Sequence, residues 1–254
     1  MSATGRGAKR EYQDQYMTPM WAVEDLIEHH SIWLPHTLQM EINHLTLLDP
    51  CAGDGYMLRE LIKSNKITHQ KVVYIEKDKS LLTPCIANDL DFYSKRQGGE
   101  EAFIEQTDFL TVDPFQYPFN VRRTEPTRTI CVTNPPYTYK ETIVQPDGTV
   151  TVEKVSWVDF YYKAKEVSDK IVFLLRTGAM GAQKRKIFWN EEKRYLTDII
   201  NLSKRPAFRY PNSDEVLRHP NGKKKGTDAS EYAWFVWDFR NPLQEGQGTR
   251  LHWI

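Results

Sequence analysis

Short β-branched apolar runs recur along this chain with helical segments between them, and this rhythm constrains its fold most. Residues 45–48, 71–75, 129–133 and 170–175 each read as a strand, with a weaker one at 102–106. Residues 21–29, 56–63, 79–90 and 157–167 read as helices. Strands alternating with helices indicate a parallel sheet with crossover connections. The rhythm changes after a basic helix at 184–194, because residues 198–202 and 232–237 follow with no clear helix between them. These two strands can pair antiparallel, leaving 209–231 as a loop too long for a plain connection and therefore a functional candidate. Trp234 and Trp237 fall on opposite faces of the last strand, so one of them is expected to be partly exposed.

No repeat or low-complexity linker divides the 254 residues, which favours one domain spanning 1–254. No apolar run approaches a membrane span, so no membrane association is expected. Residues 1–11 are small, polar and basic, lack the apolar segment of a signal peptide, and read as a flexible arm. Cys51, Cys85 and Cys131 are odd in number and form no CxxC pair, which argues against disulfides or zinc and for a reducing cytosol. His29, His30, His36 and His44 show no metal-ligand spacing, so no metal is expected.

Net charge is zero, with 34 basic and 34 acidic residues, and gives no global pull towards a polyanion. The local distribution differs. Between Gly181 and Gly226 twelve basic residues face five acidic ones, a balance of plus seven that could dock a nucleic acid. Lys184, Arg185, Lys223, Lys224 and Lys225 are its main candidates for phosphate contact. A second insertion, 138–156, contains β-branched runs either side of Pro146-Asp147-Gly148, a hairpin turn signal.

The most specific local signal is Asn134-Pro135-Pro136-Tyr137, directly after the strand at 129–133. Asn134 offers a side-chain carbonyl as acceptor. Pro135 has a fixed φ and no N–H, so its own carbonyl can serve as a rigid second acceptor. Tyr137 supplies a flat face for stacking. Two acceptors holding the hydrogens of a planar amino group would draw its lone pair out of conjugation and aim it at an electrophile. A proline-rich turn is the simpler alternative.

Asp49-Pro50-Cys51-Ala52-Gly53-Asp54-Gly55 ends the first strand and opens a helix. Its glycines allow close approach of a ligand to backbone, near the positive end of the helix. The third glycine of a dinucleotide fingerprint is missing, which lowers the odds of NAD. Glu76 ends the second strand and can accept from both hydroxyls of a ribose, while Asp108 and Phe109 can meet an adenine amino group and ring. Singly each is a capping or loop residue; together they would line one crevice at the carboxyl ends of parallel strands.

With these motifs in order, the chain resembles the S-adenosylmethionine-dependent DNA adenine-N6 methyltransferases of small bacterial and phage type. Tyr16-Met17-Thr18-Pro19 is similar to the family's N-terminal cofactor motif, Asp49–Gly55 to its glycine motif, and Asn134–Tyr137 to its catalytic motif. The resemblance implies an α/β class I, Rossmann-like methyltransferase domain with a mostly parallel seven-stranded sheet and an antiparallel C-terminal strand. It implies that S-adenosyl-L-methionine binds at Tyr16, Thr18, Pro19, Asp49, Pro50, Cys51, Ala52, Gly53, Gly55, Glu76, Asp108 and Phe109. Catalysis would fall to Asn134, Pro135, Pro136 and Tyr137, which would hold a flipped adenine for direct in-line attack by N6. The implied partner is DNA, as a duplex, in the cytoplasm (the bacterial host's, if phage-encoded), with no obligatory protein partner and either a monomer or a homodimer. With no room for a large recognition domain, readout would come from the 138–156 hairpin and the 209–231 loop. RNA, protein glutamine and cytosine N4 are alternative acceptors for the same pocket. A non-catalytic nucleic-acid-binding module is a third reading.

Overall fold

A computed structural model of the chain describes residues 17–34, 45–64, 71–81, 101–113, 128–144, 147–181, 183–208 and 230–254. The expected arm at 1–11, Tyr16, Cys85, most of the 79–90 helix, and residues 209–229 with Lys223–Lys225 lie outside them.

In chain order the elements are α1 (Met20–Glu28), α2 (His30–Trp33), β1 (Leu45–Asp49), α3 (Tyr56–Lys63), β2 (Lys71–Ile75) and β3 (Glu101–Glu105). They continue with β4 (Arg128–Thr133), β5 (Thr138–Val144), β6 (Val150–Ser156), α4 (Trp157–Val167) and β7 (Lys170–Arg176). The last are α5 (Lys186–Glu192), β8 (Leu196–Asn201), β9 (Tyr232–Asp238) and β10 (Arg250–Trp253). The main sheet has the order β10-β8-β9-β7-β4-β1-β2-β3, and β5 pairs with β6 as a separate antiparallel hairpin. β9 runs antiparallel to both its neighbours, β7 and β8, as expected for 198–202 and 232–237 from the sequence.

The sheet differs from the seven strands expected. β10 adds an eighth, parallel to β8 at the edge. Its four residues, Arg-Leu-His-Trp, alternate charge and apolar groups too briefly to signal a strand. Arg250 holds it in place through paired hydrogen bonds of 2.8 Å from Nε and Nη2 to Asp198 on β8. The basic helix expected at 184–194 is also broken, into α5 flanked by 3-10 turns at Gln183–Arg185 and Lys193–Tyr195. Neither Arg185 nor Glu192, the residues leading into the two later segments, provides a side-chain cap, and short 3-10 turns are the common substitute at such ends.

Strand alternation sends successive side chains to opposite faces, and each face has its own core. Leu47, Val72, Tyr74, Ile130, Val132, Leu174 and Trp234 pack beneath α1 and α3. Leu48, Val73, Cys131, Phe173, Phe235 and Trp237 pack against α4 and Phe188 of α5. Both tryptophans of β9 are therefore fully buried, contrary to the expectation that one is exposed. An interior strand covered on both sides has no solvent face, and Trp234 further donates from Nε1 to the Ala22 carbonyl at 3.2 Å.

The chain runs outward from β1 to β2 and β3, then returns to the other side of β1 with β4. The carboxyl ends of β1 and β4 thus flank a point where strand order reverses, the usual place for a ligand crevice in such sheets.

Candidate active site

At that switch point a cavity of about 450 Å³ opens. Its walls include Thr18, Asp49, Pro50, Cys51, Ala52, Gly53, Glu76, Asp108 and Phe109, together with Asn134, Pro135, Pro136 and Tyr137. Residues read separately from four strand ends are thus brought to one place. Pro19 and Gly55 are outside the lining; they are the buried residues that precede α1 and α3.

The turn after β1 is built by backbone demands. Gly53 and Gly55 both have positive φ, 56° and 71°, which side chains other than glycine's disfavour. A Cβ at Gly53 would lie 2.7 Å from Sδ of Met17. The Gly53 N–H donates to Glu76 Oε2 at 2.8 Å, while Oε1 accepts from the Asp78 N–H at 2.9 Å. The carboxylate at the end of β2 therefore orders the turn above β1, and its remaining lone pairs are available to hydroxyl donors. Burial raises the Glu76 carboxyl above the ordinary range, against the opposing pull of these N–H donors.

Asp49, almost fully buried, accepts from Thr133 Oγ1 at 2.6 Å and from the Cys51 N–H at 3.1 Å. Burial lifts its carboxyl to about 7, despite both hydrogen bonds, so a modest local change decides its charge near neutrality. The same burial pushes the Cys51 and Cys131 thiols well up, which leaves them poor nucleophiles.

Asp108 caps a short 3-10 turn by accepting from the Leu110 N–H at 3.0 Å. Its other oxygen takes a 2.7 Å bond from Lys77 Nζ, and the same ammonium reaches Glu141 on β5. Burial alone would lower the Lys77 ammonium, but the two carboxylates outweigh it and raise it. Phe109 is buried and stacks on Phe160 of α4, ring centroids 6.4 Å apart.

In the prolyl motif, the Tyr137 hydroxyl donates to Asn134 Oδ1 at 2.9 Å. The Tyr137 ring lies 5.8 Å from that of Tyr232 and has the Arg176 guanidinium 5.3 Å from its centroid. Asn134 thus has its carbonyl oxygen oriented by its own motif.

The wall also includes Lys77, Leu81 and Thr107, to which no motif in the sequence points. Thr133, behind the wall, reads in sequence as a strand residue, although its position next to Asn134 is a usable signal. Of the proposed phosphate contacts, Lys184 and Arg185 lie on a 3-10 turn outside the cavity. Arg185 donates to the Ala179 carbonyl at 2.7 Å and covers the Trp157 ring, whereas Lys184 is exposed. Among the described residues there is no cluster of three potential metal ligands, and no helix long and apolar enough to cross a membrane.

This strand order, with its antiparallel penultimate strand, is the class I, Rossmann-like methyltransferase fold, and solved structures share it. A Pyrococcus horikoshii protein provisionally assigned as an RNA methyltransferase superposes with a TM-score of 0.55 at 16% identity, over 92% of this chain and 89% of that one. A Listeria monocytogenes protein provisionally assigned as a class I S-adenosylmethionine-dependent methyltransferase gives 0.56 at 12% identity, over 98% and 69%. The DrdV–DNA complex gives 0.58 at 16% identity, with 94% of this chain matching only 28% of that one. No protein-family model matches the sequence, and no curated protein matches it significantly.

Proposed function

We propose that this chain is an S-adenosylmethionine-dependent methyltransferase whose acceptor is the exocyclic N6 of adenine in DNA. One observation carries the reading: Asn134–Tyr137 forms part of the same cavity wall as Asp49–Gly53, Glu76 and Asp108. An amino-group holder and a nucleoside-type cradle therefore share one chamber. The involvement of a DrdV–DNA complex among the structural matches, and of a type I restriction-modification methyltransferase subunit from Streptococcus thermophilus, supports DNA as the polymer.

The residues present suit the cofactor. Glu76 keeps acceptor capacity for two ribose hydroxyls, and Gly53 keeps the turn free of a side chain that would meet Met17. Asp49, poised near neutrality, can become the carboxylate that an ammonium group requires. Thr18 and Asp49 would take the amino-acid end, Glu76 the ribose, and Asp108 with Phe109 the adenine. When bound, S-adenosylmethionine supplies an electrophilic methyl group for in-line attack by the amino nitrogen.

Asn134 Oδ1 and the Pro135 carbonyl would accept from the two N6 hydrogens, concentrating the lone pair on nitrogen. Tyr137 would stack on the base, and its hydroxyl already fixes the Asn134 amide orientation. The chain's contribution is alignment and exclusion of water, with no covalent intermediate. Extruding the base costs a few kcal/mol, least where the duplex is already distorted.

Nucleoside mass spectrometry on DNA and RNA, each incubated with the protein and S-adenosylmethionine, tests this. N6-methyladenine in DNA alone is the expected result. Transfer to RNA alone, or to cytosine N4, would replace the acceptor; no transfer to any of them would remove the reading.

A further inference from the structure

The β5–β6 hairpin is electrically two-sided. In its register Lys140 stands opposite Lys154 and Glu141 opposite Glu153. Side chains alternate along a strand, so Lys140, Thr142, Val150, Val152 and Lys154 share one face, while Glu141, Glu153 and Val155 share the other. The other face is turned inward only in part: Val155 is buried in the core beneath α4 and Glu141 pairs with Lys77 at the cavity wall, while Glu153 is exposed. All five residues of the basic face are exposed, the two valines at 61% each.

Like charges directly opposite one another weaken a hairpin, whereas a lysine opposite a glutamate would strengthen it. Here both pairs are like with like, and neither Lys140 nor Lys154 has an ion-pair partner among the described residues. The two ammonium groups therefore form a doublet of positive charge pointing away from the domain. Lys140 is only three residues beyond Tyr137, a reach of at most about 10 Å along the chain. A base held at Tyr137 would bring its neighbouring phosphates within range of that doublet.

We propose that the outward face of the hairpin, centred on Lys140 and Lys154, docks on the phosphodiester backbone of DNA beside the target base. The inference rests on the DNA reading above and assigns one face of the hairpin to phosphate contact. The inward face serves the cavity through Glu141. Phosphate contacts position a protein and carry no sequence information, so this face sets register and affinity.

The test is binding of a fluorescent random-sequence duplex, followed by anisotropy across a salt series with S-adenosylhomocysteine present. For the wild type, log affinity falls with log salt. In Lys140→Ala/Lys154→Ala the slope becomes shallower by about two, one for each lysine, and each single variant gives about one. Lys140→Arg/Lys154→Arg restores the wild-type slope, and Glu153→Ala on the opposite face leaves it no shallower. S-adenosylmethionine affinity, measured by calorimetry, stays at the wild-type value in all of them and verifies the fold. An unchanged slope in the double alanine variant overturns the proposal. Wild-type protein that binds the cofactor but no duplex DNA overturns the DNA reading itself, a separate result seen before any variant is made.

Discussion

Thr133 Oγ1 donates a 2.6 Å hydrogen bond to Asp49 Oδ1, joining the last residue of β4 to the last residue of β1. The bond crosses the point where strand order reverses and fastens the segment carrying Asn134 to the turn carrying Gly53. Thr133→Val keeps the shape but leaves Asp49 with one fewer donor in a buried place. Because Asp49 Oδ1 keeps the Cys51 N–H, the loss is that of one hydrogen bond, about 0.5–1.5 kcal/mol. Urea unfolding should show a loss of that size, accompanied by weaker S-adenosylmethionine binding in calorimetry.

Asp49 also makes the protein respond to pH. Its folded pKa of about 7 lies above the ordinary value of 3.8, so the folded state holds a proton that the unfolded state has lost between those limits. Stability therefore falls as pH rises from about 4 to about 7 and levels off above. Asp49→Asn should flatten this part of the stability profile. If Asp49 receives the cofactor's ammonium, wild-type affinity should rise as pH passes through about 7. The Asn variant should bind weakly without that rise.

Asn134→Ala should lose turnover while keeping cofactor affinity. Removing one positioned hydrogen-bonding group from a reacting centre costs on the order of 10²–10³-fold in kcat. Tyr137→Phe, which keeps the stacking ring but releases Asn134 Oδ1, should lose less. Single-turnover methyl transfer beside calorimetric cofactor binding separates the two effects, and an equal fall in both for Asn134→Ala would contradict the assigned role.

Gly53→Ala meets two obstacles: a φ of 56° and a Met17 sulfur 2.7 Å from the added carbon. The backbone conformation alone costs roughly 1–2 kcal/mol. Met17→Ala in the same chain relieves the contact but not the dihedral. Thermal unfolding should therefore show partial recovery in the double variant, with cofactor affinity reduced in both.

Lys77 joins Asp108 to Glu141 and so ties the hairpin to the cavity wall. Because its side chain is about half exposed (54%), the pair contributes under about 1 kcal/mol, and Lys77→Met should leave the melting temperature nearly unchanged. Hydrogen exchange across 138–156 should nevertheless quicken, since the hairpin loses a tether at one face.

Much of this arrangement was legible in the sequence because it is written in local terms. The β-branched runs at 71–75 and 129–133 and the glycines at 53 and 55 are all short-range signals. What escaped depends on partners far along the chain. Thr133 is an ordinary strand residue until Asp49 is set beside it, and Lys77 is an ordinary surface lysine until Asp108 and Glu141 converge on it. β10 becomes a strand only by docking on β8. One of Trp234 and Trp237 is expected to be exposed because alternation reveals which face a side chain takes, not whether a helix covers that face. The charge-sidedness of the hairpin likewise follows from cross-strand register, which β5 does not specify without β6.

The placement of β9 between β7 and β8 has a consequence for the order of assembly. Both neighbours are made earlier on the ribosome; β7 can pair with β4 on one side, but its other edge and the facing edge of β8 wait for Tyr232–Asp238. Until then the growing chain carries three unsatisfied strand edges here, one on β7 and both on β8, the exposed templates from which chains aggregate. A stop codon between β8 and residue 232 would therefore yield a polypeptide containing all of the cavity wall yet prone to precipitate. Screening such truncations for solubility would map how late this half of the molecule closes.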